Sequence, residues 1–335
     1  MRTISLLDCT LRDGGYVNNW NYGENTIKGV IEGLVTAGVN ILELGFMRNE
    51  SPNRDRTAFA TIEDVNNLIP NKKKGVVYST MIEAFNPYDL SNLSPHIESG
   101  VDIIRVCVWK DPIVEHLEYC RGVQSKGYTI SVQPSRVEQY DKEEFTDLVK
   151  RSNDLHPYAF YIVDTWGTQS SVQIASYAEI AAKYLDNDIK IGYHGHNNRM
   201  QALACAQTFL NLDLDHDLCL DSSVRGMGRG AGNLCTEIIM DYLNEVFVTS
   251  YDCKKVVDVY NKFIRQFYEK EPWGYSLYYY LSSIYGVNPN FSTYFRGQKY
   301  TEEMFEKFLK SLVGREKVVF SKDFVEERLS MLNLK

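Results

Sequence analysis

Through the first 250 positions, short apolar runs rich in β-branched and aromatic residues alternate with stretches whose apolar residues recur at helical spacing. The runs at 4–7, 39–46, 75–81, 103–109, 128–133, 159–164, 189–193 and 218–222 read as strands. Between the first two, Ile27, Val30, Ile31, Leu34 and Val35 form an i, i+3, i+4, i+7, i+8 stripe that Gly38 closes, the signature of an amphipathic helix. The remaining gaps are each long enough to hold a helix.

Eight such strand–helix units in roughly 245 residues predict an α/β fold, a (β/α)8 TIM barrel, whose active sites form where the loops leave the C-terminal ends of the strands. A doubly wound open sheet is the rival. Open sheets that bind dinucleotides carry a glycine-rich turn after the first strand, whereas here that strand runs into Asp8-Cys9-Thr10-Leu11-Arg12-Asp13-Gly14-Gly15.

From Tyr251 onward the composition shifts: 19 of 85 residues are aromatic, against 23 of the preceding 250. The expected division is therefore a barrel over 1–245 and a C-terminal helical, aromatic-rich extension over 246–335. Tyr278-Tyr279-Tyr280, Tyr285 and Tyr294 are too aromatic to stand in water together, and predict packing over the barrel or against a second subunit, with the core of their own helices the plainer expectation for any single tyrosine. Phe305, Phe308 and Leu312 predict a terminal amphipathic helix.

Composition narrows the function classes. An apolar content of 44% supports a large core, and a net charge of −8 with no basic block gives no footprint for a nucleic-acid backbone. The first apolar run meets Asp8, and no stretch approaches the roughly 18 apolar residues of a membrane span, so a cytoplasmic protein without membrane contact is expected. Seven scattered cysteines without a C-x-x-C pair argue for reduced thiols.

The strongest chemical signal is Tyr193-His194-Gly195-His196-Asn197-Asn198, at the end of the seventh predicted strand. Side chains two apart on a strand point the same way, so His194 and His196 can converge on one metal ion. Arg12 and Asp13 leave the first strand at the same rim, and in a closed barrel of eight the first and seventh strands both flank the eighth. A carboxylate and two imidazoles with open positions suit Mn2+, Mg2+, Co2+ or Zn2+. The bland alternatives are that Asp13 caps the following turn and that Arg12 simply pairs with Glu43. A third signal, Arg225-Gly226-Met227-Gly228-Arg229-Gly230-Ala231-Gly232-Asn233, lets backbone pass close to a ligand and offers the Asn233 amide.

Together the Asp8-x-Thr10-Leu11-Arg12-Asp13-Gly14 stretch, the His194–Asn198 motif and the 226–233 loop resemble the DRE-TIM metallolyase superfamily, the HMG-CoA lyase-like or pyruvate carboxyltransferase-type barrels. Its members include 4-hydroxy-2-oxovalerate aldolase, hydroxymethylglutaryl-CoA lyase and the isopropylmalate and homocitrate synthases. The resemblance covers residues 1 to about 245, with further matches at Glu43 and at Asp164-Thr165. It implies that Asp13, His194, His196 and Asn233 hold a divalent cation, Mn2+ or Mg2+ ahead of Co2+ or Zn2+. It also implies that Arg12 stabilises an enolate, assisted by Glu43, and that Asp164, Thr165 and Asn198 contact substrate. Tyr16 stands three residues after the aspartate, where the aldolases carry a histidine base. An unperturbed phenol, with a pKa near ~10, is the weaker base at neutral pH. The motif also continues with Arg199-Met200-Gln201 rather than the Leu-Gly-Leu of relatives.

The implied function is a metal-dependent aldolase or lyase that makes or breaks a C–C bond beside a 2-oxo acid, closest in character to 4-hydroxy-2-oxovalerate aldolase. A small 2-oxo acid is the expected partner, with a homo-oligomer and a product-accepting enzyme as further expectations. Two alternatives stay open: a Claisen-type acyltransferase using acetyl-CoA, and a non-catalytic barrel subunit.

Overall fold

In the computed structural model, which describes residues 2–298 and 300–334, the eight predicted strand regions all appear as strands. They are β1 (Ile4–Asp8), β2 (Ile41–Met47), β4 (Val77–Glu83), β5 (Ile103–Val108), β6 (Thr129–Pro134), β7 (Ala159–Asp164), β8 (Lys190–Gly195) and β9 (Leu218–Ser222), with a two-residue β3 (Ala58–Phe59) beside the end of β2. All pairings among them are parallel. The sheet closes because β1 pairs on one side with β2, Leu7 opposite Ile41, and on the other with β9, Ile4 opposite Leu218. The result is a closed eight-strand barrel surrounded by helices, as the periodicity predicted, and not an open sheet.

The pleat explains why these strands are apolar almost throughout. One side of each packs on the helices: Leu6, Leu42, Ile104, Val106, Ile130, Phe160, Ile162 and Leu220 join the main core. The other side faces the barrel interior, where Leu7, Ile41, Ala159, Tyr161, Val163 and Cys219 form a small separate core. By the same alternation Glu43, Arg105, His194 and Asp221 also point inward, and all four are buried.

The stripe read from Ile27 onward lies on a helix, Glu24–Ala37. Gly38 ends it at φ 91°, a left-handed conformation that costs glycine nothing, with its N–H donating to the carbonyls of Leu34 and Val35.

Beyond the barrel, Cys253–Val259 and Arg265–Lys270 are helices joined by a π-helical turn, and Val256, Val259, Ile264 and Phe267 still belong to the main core. After Leu277 four helices, Leu277–Tyr285, Pro289–Arg296, Glu302–Lys310 and Lys322–Met331, build a core of their own around Phe291, Phe295, Phe305 and Phe308. The expected terminal helix is thus shorter than its apolar stripe. It stops at Lys310, Leu312 is buried from the turn that follows, and Gly314 at φ 52° redirects the chain into a further helix. All seven cysteines are free thiols. No helix among the described residues is long and apolar enough to cross a membrane.

Candidate metal centre at the C-terminal mouth of the barrel

After β1 the chain turns across the mouth, with the Asp13 N–H donating to the Cys9 carbonyl at 2.8 Å. This turn delivers Arg12 and Asp13 beside the end of β8, which carries His194 and, just past it, His196. One ligand atom from each of Asp13, His194 and His196 lies within 4.8 Å of the others, and all three residues are buried. The convergence of positions 181 and 183 residues apart, expected from the order of strands, is present.

Neighbours fix which ring nitrogens face inward. His196 Nδ1 lies 3.1 Å from the Arg229 carbonyl oxygen, which can only accept, so Nδ1 carries the proton. His194 Nδ1 lies 3.0 Å from Asp221 Oδ2, a carboxylate held below its ordinary range by Arg105 against the upward push of burial. Both Nε2 atoms are left to face each other at 3.4 Å. Burial pushes His196 down to about 4, so its Nε2 presents a lone pair at neutral pH. Second-sphere acceptors on Nδ1 are how metal-binding histidines are oriented.

Asp13 opposes burial with charge. Burial raises its carboxyl, but the Arg12 guanidinium, with Nη1 at 2.6 Å from Oδ1, holds it well below the usual carboxylate range. Oδ2 accepts from Asn233 Nδ2 at 2.8 Å and from the Arg229 backbone N–H at 3.2 Å. Asn233 Oδ1 is buried without a hydrogen-bond partner among the described residues, an orphan acceptor of the kind a cation satisfies. Gly228 completes the cradle: a Cβ there would sit 2.3 Å from Asn233 Nδ2 and 2.5 Å from Asp13 Oδ2. The donor set of carboxylate oxygen, amide oxygen and two imidazoles therefore fits a divalent ion.

Arg12 Nε is 2.7 Å from Glu43 Oε2, so the bland pairing is real, but it stands alongside the Asp13 contact and does not replace it. The same Glu43 oxygen lies 2.8 Å from Arg105 Nη1, and Arg105 Nη2 pairs with Asp221. Two buried guanidiniums face three buried carboxylates, Asp13, Glu43 and Asp221. The cluster is one negative charge in excess, which a dication converts to one positive.

The centre opens into a cavity of about 360 Å3 walled by Trp20, Phe46, Trp109 and Trp166 and studded with arginines. Arg48 stacks 4.5 Å from the Trp20 and Phe46 ring centres, Arg136 3.4 Å from Trp166 and Arg229 5.4 Å from Tyr16. Arg48 pairs with Glu83 at 3.2 Å and Arg136 with Glu138 at 2.9 Å. Arg229 instead donates from Nη2 to Asn288 Oδ1 at 2.8 Å and Asn290 Oδ1 at 3.2 Å. Asn288 and Val318 of the C-terminal module also line the cavity, so that module reaches the barrel mouth, while Tyr278, Tyr285 and Tyr294 pack on its own core.

The other expected site residues divide. Tyr16 and Thr165 line the cavity, and Thr165 Oγ1 accepts from the Arg136 N–H at 2.8 Å. The Tyr16 phenol is raised above its ordinary value by burial and then by Glu83. Asp164 and Asn198 are not in the lining. Asp164 accepts from the Thr168 and Gln169 N–H groups at 2.8 and 3.0 Å, and burial lifts it to about 7. Asn198 bridges the Trp166 carbonyl at 2.9 Å and the Ala231 N–H at 2.7 Å. Both shape the loops around the mouth, because short polar side chains next to turns find backbone partners first. Arg48, Arg105, Arg136, Asp221 and Asn288 were not foreseen. For Arg105 and Asp221 a signal existed: Arg105 is an ionisable residue in the middle of an otherwise apolar strand, and Asp221 follows the apolar run Leu218-Cys219-Leu220.

The HMGL-like family model matches residues 90–262, just over half of the chain, and the protein belongs to that family. Oxaloacetate decarboxylase of Mycobacterium tuberculosis is 28% identical over 70% of this chain and 68% of its own length. 4-Hydroxy-2-oxovalerate aldolase 2 of Comamonas testosteroni is 24% identical over 77% of this chain and 73% of its own. Among solved structures, the N-terminal domain of an aldolase candidate from Bacteroides vulgatus superposes with a TM-score of 0.74 at 21% identity, covering 92% of this chain and 100% of that one. Hydroxymethylglutaryl-CoA lyase from Pseudomonas aeruginosa gives 0.62 at 19% identity, covering 78% and 91%. The sequence relatives point to a metal-dependent lyase or aldolase of the DRE-TIM superfamily.

Proposed function

We propose that the protein is a divalent-metal-dependent aldolase that cleaves or forms a 4-hydroxy-2-oxo acid through a pyruvate-type enolate. The observation that carries this reading is the Asp13, His194 and His196 cluster beside Arg12 at the floor of an arginine-lined cavity. When bound by those three residues and Asn233, a divalent cation supplies Lewis-acid charge to the keto oxygen of the substrate.

The chain's own residues do the rest. Arg12 has Nε and Nη1 engaged by Glu43 and Asp13, which leaves Nη2 to donate to the oxygen on which enolate charge develops. Because Arg12 is anchored by two carboxylates, that donor is already in place before reaction and needs no reorganisation. In cleavage the C4 hydroxyl gives its proton to water at the cavity opening as the C3–C4 bond breaks, and the phenol of Tyr16, held protonated, then protonates C3 of the enolate and regains its proton from solvent. Trp20, Phe46 and Trp166 keep water from the carbanion centre. The one net positive charge of the loaded cluster matches a monoanionic 2-oxo acid.

A second reading has its own support: the guanidiniums of Arg48, Arg136 and Arg229 around the cavity suit a substrate with a second carboxylate, and one relative is named oxaloacetate decarboxylase. Decarboxylation would use the same enolate. Chelator-stripped protein, restored with Mn2+, Mg2+, Co2+ or Zn2+, should release pyruvate from at least one 4-hydroxy-2-oxo acid, and CO2 from oxaloacetate if the second reading holds. Thiol release from acetyl-CoA with a 2-oxo acid would instead select the condensing alternative. Inactivity of every metal form across the whole panel, in both directions, would overturn the enzymatic proposal.

A further inference from the structure

We infer that Arg105 is a positioning residue that braces the barrel interior and holds Arg12 and His194 in register. This inference rests on the metal-centre reading above and adds a residue that touches neither the ligand atoms nor the substrate cavity.

In the closed ring β1-β2-β4-β5-β6-β7-β8-β9, β5 is the fourth strand and β9 the eighth, so the two face each other across the barrel. Arg105 in the middle of β5 reaches over that interior to Asp221 on β9 through Nη2, which also lies 3.1 Å from Gln133 Oε1 on β6. Nη1 stands 2.8 Å from Glu43 Oε2 on β2, as an ion pair without hydrogen-bond alignment. Beneath the guanidinium lies the Tyr161 ring, 4.5 Å from its centre to the Arg105 carbon. Four strands other than its own are thus tied to one side chain that is 1% exposed.

Each carboxylate that Arg105 holds in turn places a functional group. Glu43 Oε2 takes Arg12 Nε at 2.7 Å, and Asp221 Oδ2 takes His194 Nδ1 at 3.0 Å. Glu43 Oε1 and Asp221 Oδ1 have no hydrogen-bond partner among the described residues. Each carboxylate is therefore held through a single oxygen, and both of those oxygens meet Arg105. Without the guanidinium, two like charges would remain in the interior with Arg12 as the nearest cation, and nothing would fix the angle at which either one presents its oxygen. Only a planar fork spans both: an ammonium can neutralise one carboxylate at a time.

Arg105→Lys and Arg105→Met separate this role from mere charge balance. Mn2+ affinity is measured by titration calorimetry on metal-depleted wild-type and variant proteins, with circular dichroism as the check on folding. The NMR signal of the His194 ring N–H gives a second readout. The expected result is Mn2+ binding about 10- to 100-fold weaker in both variants, the range seen when outer partners of metal ligands are lost. The His194 N–H signal should shift or vanish, and kcat should fall with KM nearly unchanged once a substrate is in hand. Should Arg105→Met not fold, Arg105→Lys carries the test. Folded variants that bind Mn2+ as wild type does, with the His194 signal in place, would overturn the inference and leave the metal-centre reading standing. Wild-type protein that binds no dication would overturn that reading itself.

Discussion

Tyr16 occupies the place where related aldolases carry a histidine, and its surroundings decide what it can do there. Burial and the Glu83 carboxylate both raise its phenol, so at neutral pH it holds its proton and serves as a donor rather than a base. Tyr16→Phe is therefore expected to lower kcat by about 100-fold, at the low end of what a positioned proton donor contributes, with Mn2+ affinity unchanged. Steady-state kinetics beside calorimetry tests this, and a variant with wild-type kcat would remove Tyr16 from the chemistry. Gly228 makes the converse case, a residue that matters for the atom it lacks. Its absent Cβ leaves room for Asn233 and Asp13 to meet, so Gly228→Ala should weaken Mn2+ binding by at least about 10-fold, the scale of a displaced ligand. Unchanged affinity would show that Asn233 and Asp13 tolerate separation.

The loop from Val224 to Asn233 joins the metal centre to the C-terminal module. Within Arg229 alone, the backbone N–H reaches Asp13, the carbonyl reaches His196, and the guanidinium reaches Asn288 and Asn290. Asn288 is the partner that fastens the other side. Its Oδ1 also caps the helix Pro289–Arg296, its Nδ2 donates to the Val318 carbonyl at 2.7 Å, and its N–H donates to Lys317. Asn288→Ala should cost about 1 kcal/mol of stability for the lost cap and raise KM more than it lowers kcat, since it loosens a cavity wall and not the reacting groups. Denaturant melts and steady-state kinetics measure both, and an unchanged KM would mean that the module sits over the mouth without shaping binding.

The chain's two ends of the barrel are sewn together at Asp8, on β1. It accepts from the Thr10 N–H at 2.8 Å and from Thr236 Oγ1, on the helix Thr236–Val246, at 2.6 Å. Burial nevertheless raises its carboxyl to about 6, from 3.8. The sign follows from linkage: the folded state binds this proton more tightly than the unfolded chain, so the cost of ionising Asp8 is absent below pH 4 and fully present above pH 6. A shift of about two units corresponds to about 3 kcal/mol. Asp8→Asn should therefore gain on wild type as pH rises from 4 to 7, by up to about 3 kcal/mol, since Thr236 can accept from the new amide. Unfolding free energies across that range test it, and a pH-independent difference would refute the buried-charge account.

Local order alone made much of this protein legible. Period-two and helical apolar patterns reflect what a backbone must bury on each side, so eight strands, their order and a helix carrying the Ile27–Val35 stripe up to Gly38 could be read before any contact was known. The histidine pair was legible for the same reason, since two residues apart on a strand means one side. Arg12 and Asp13 were placed at the same rim by the strand order and Asn233 by its glycine-rich loop, while the family resemblance supplied their roles and that of Glu43. What only the tertiary structure decided is which polar groups meet. Asp164 and Asn198 turned to nearby backbone, Arg105 and Asp221 met across the barrel, and Asn288 arrived at the mouth from a module with a core of its own. Such pairings depend on strand tilt, ring closure and the competition among donors for each buried carboxylate. None of these is written in the spacing of residues along one chain.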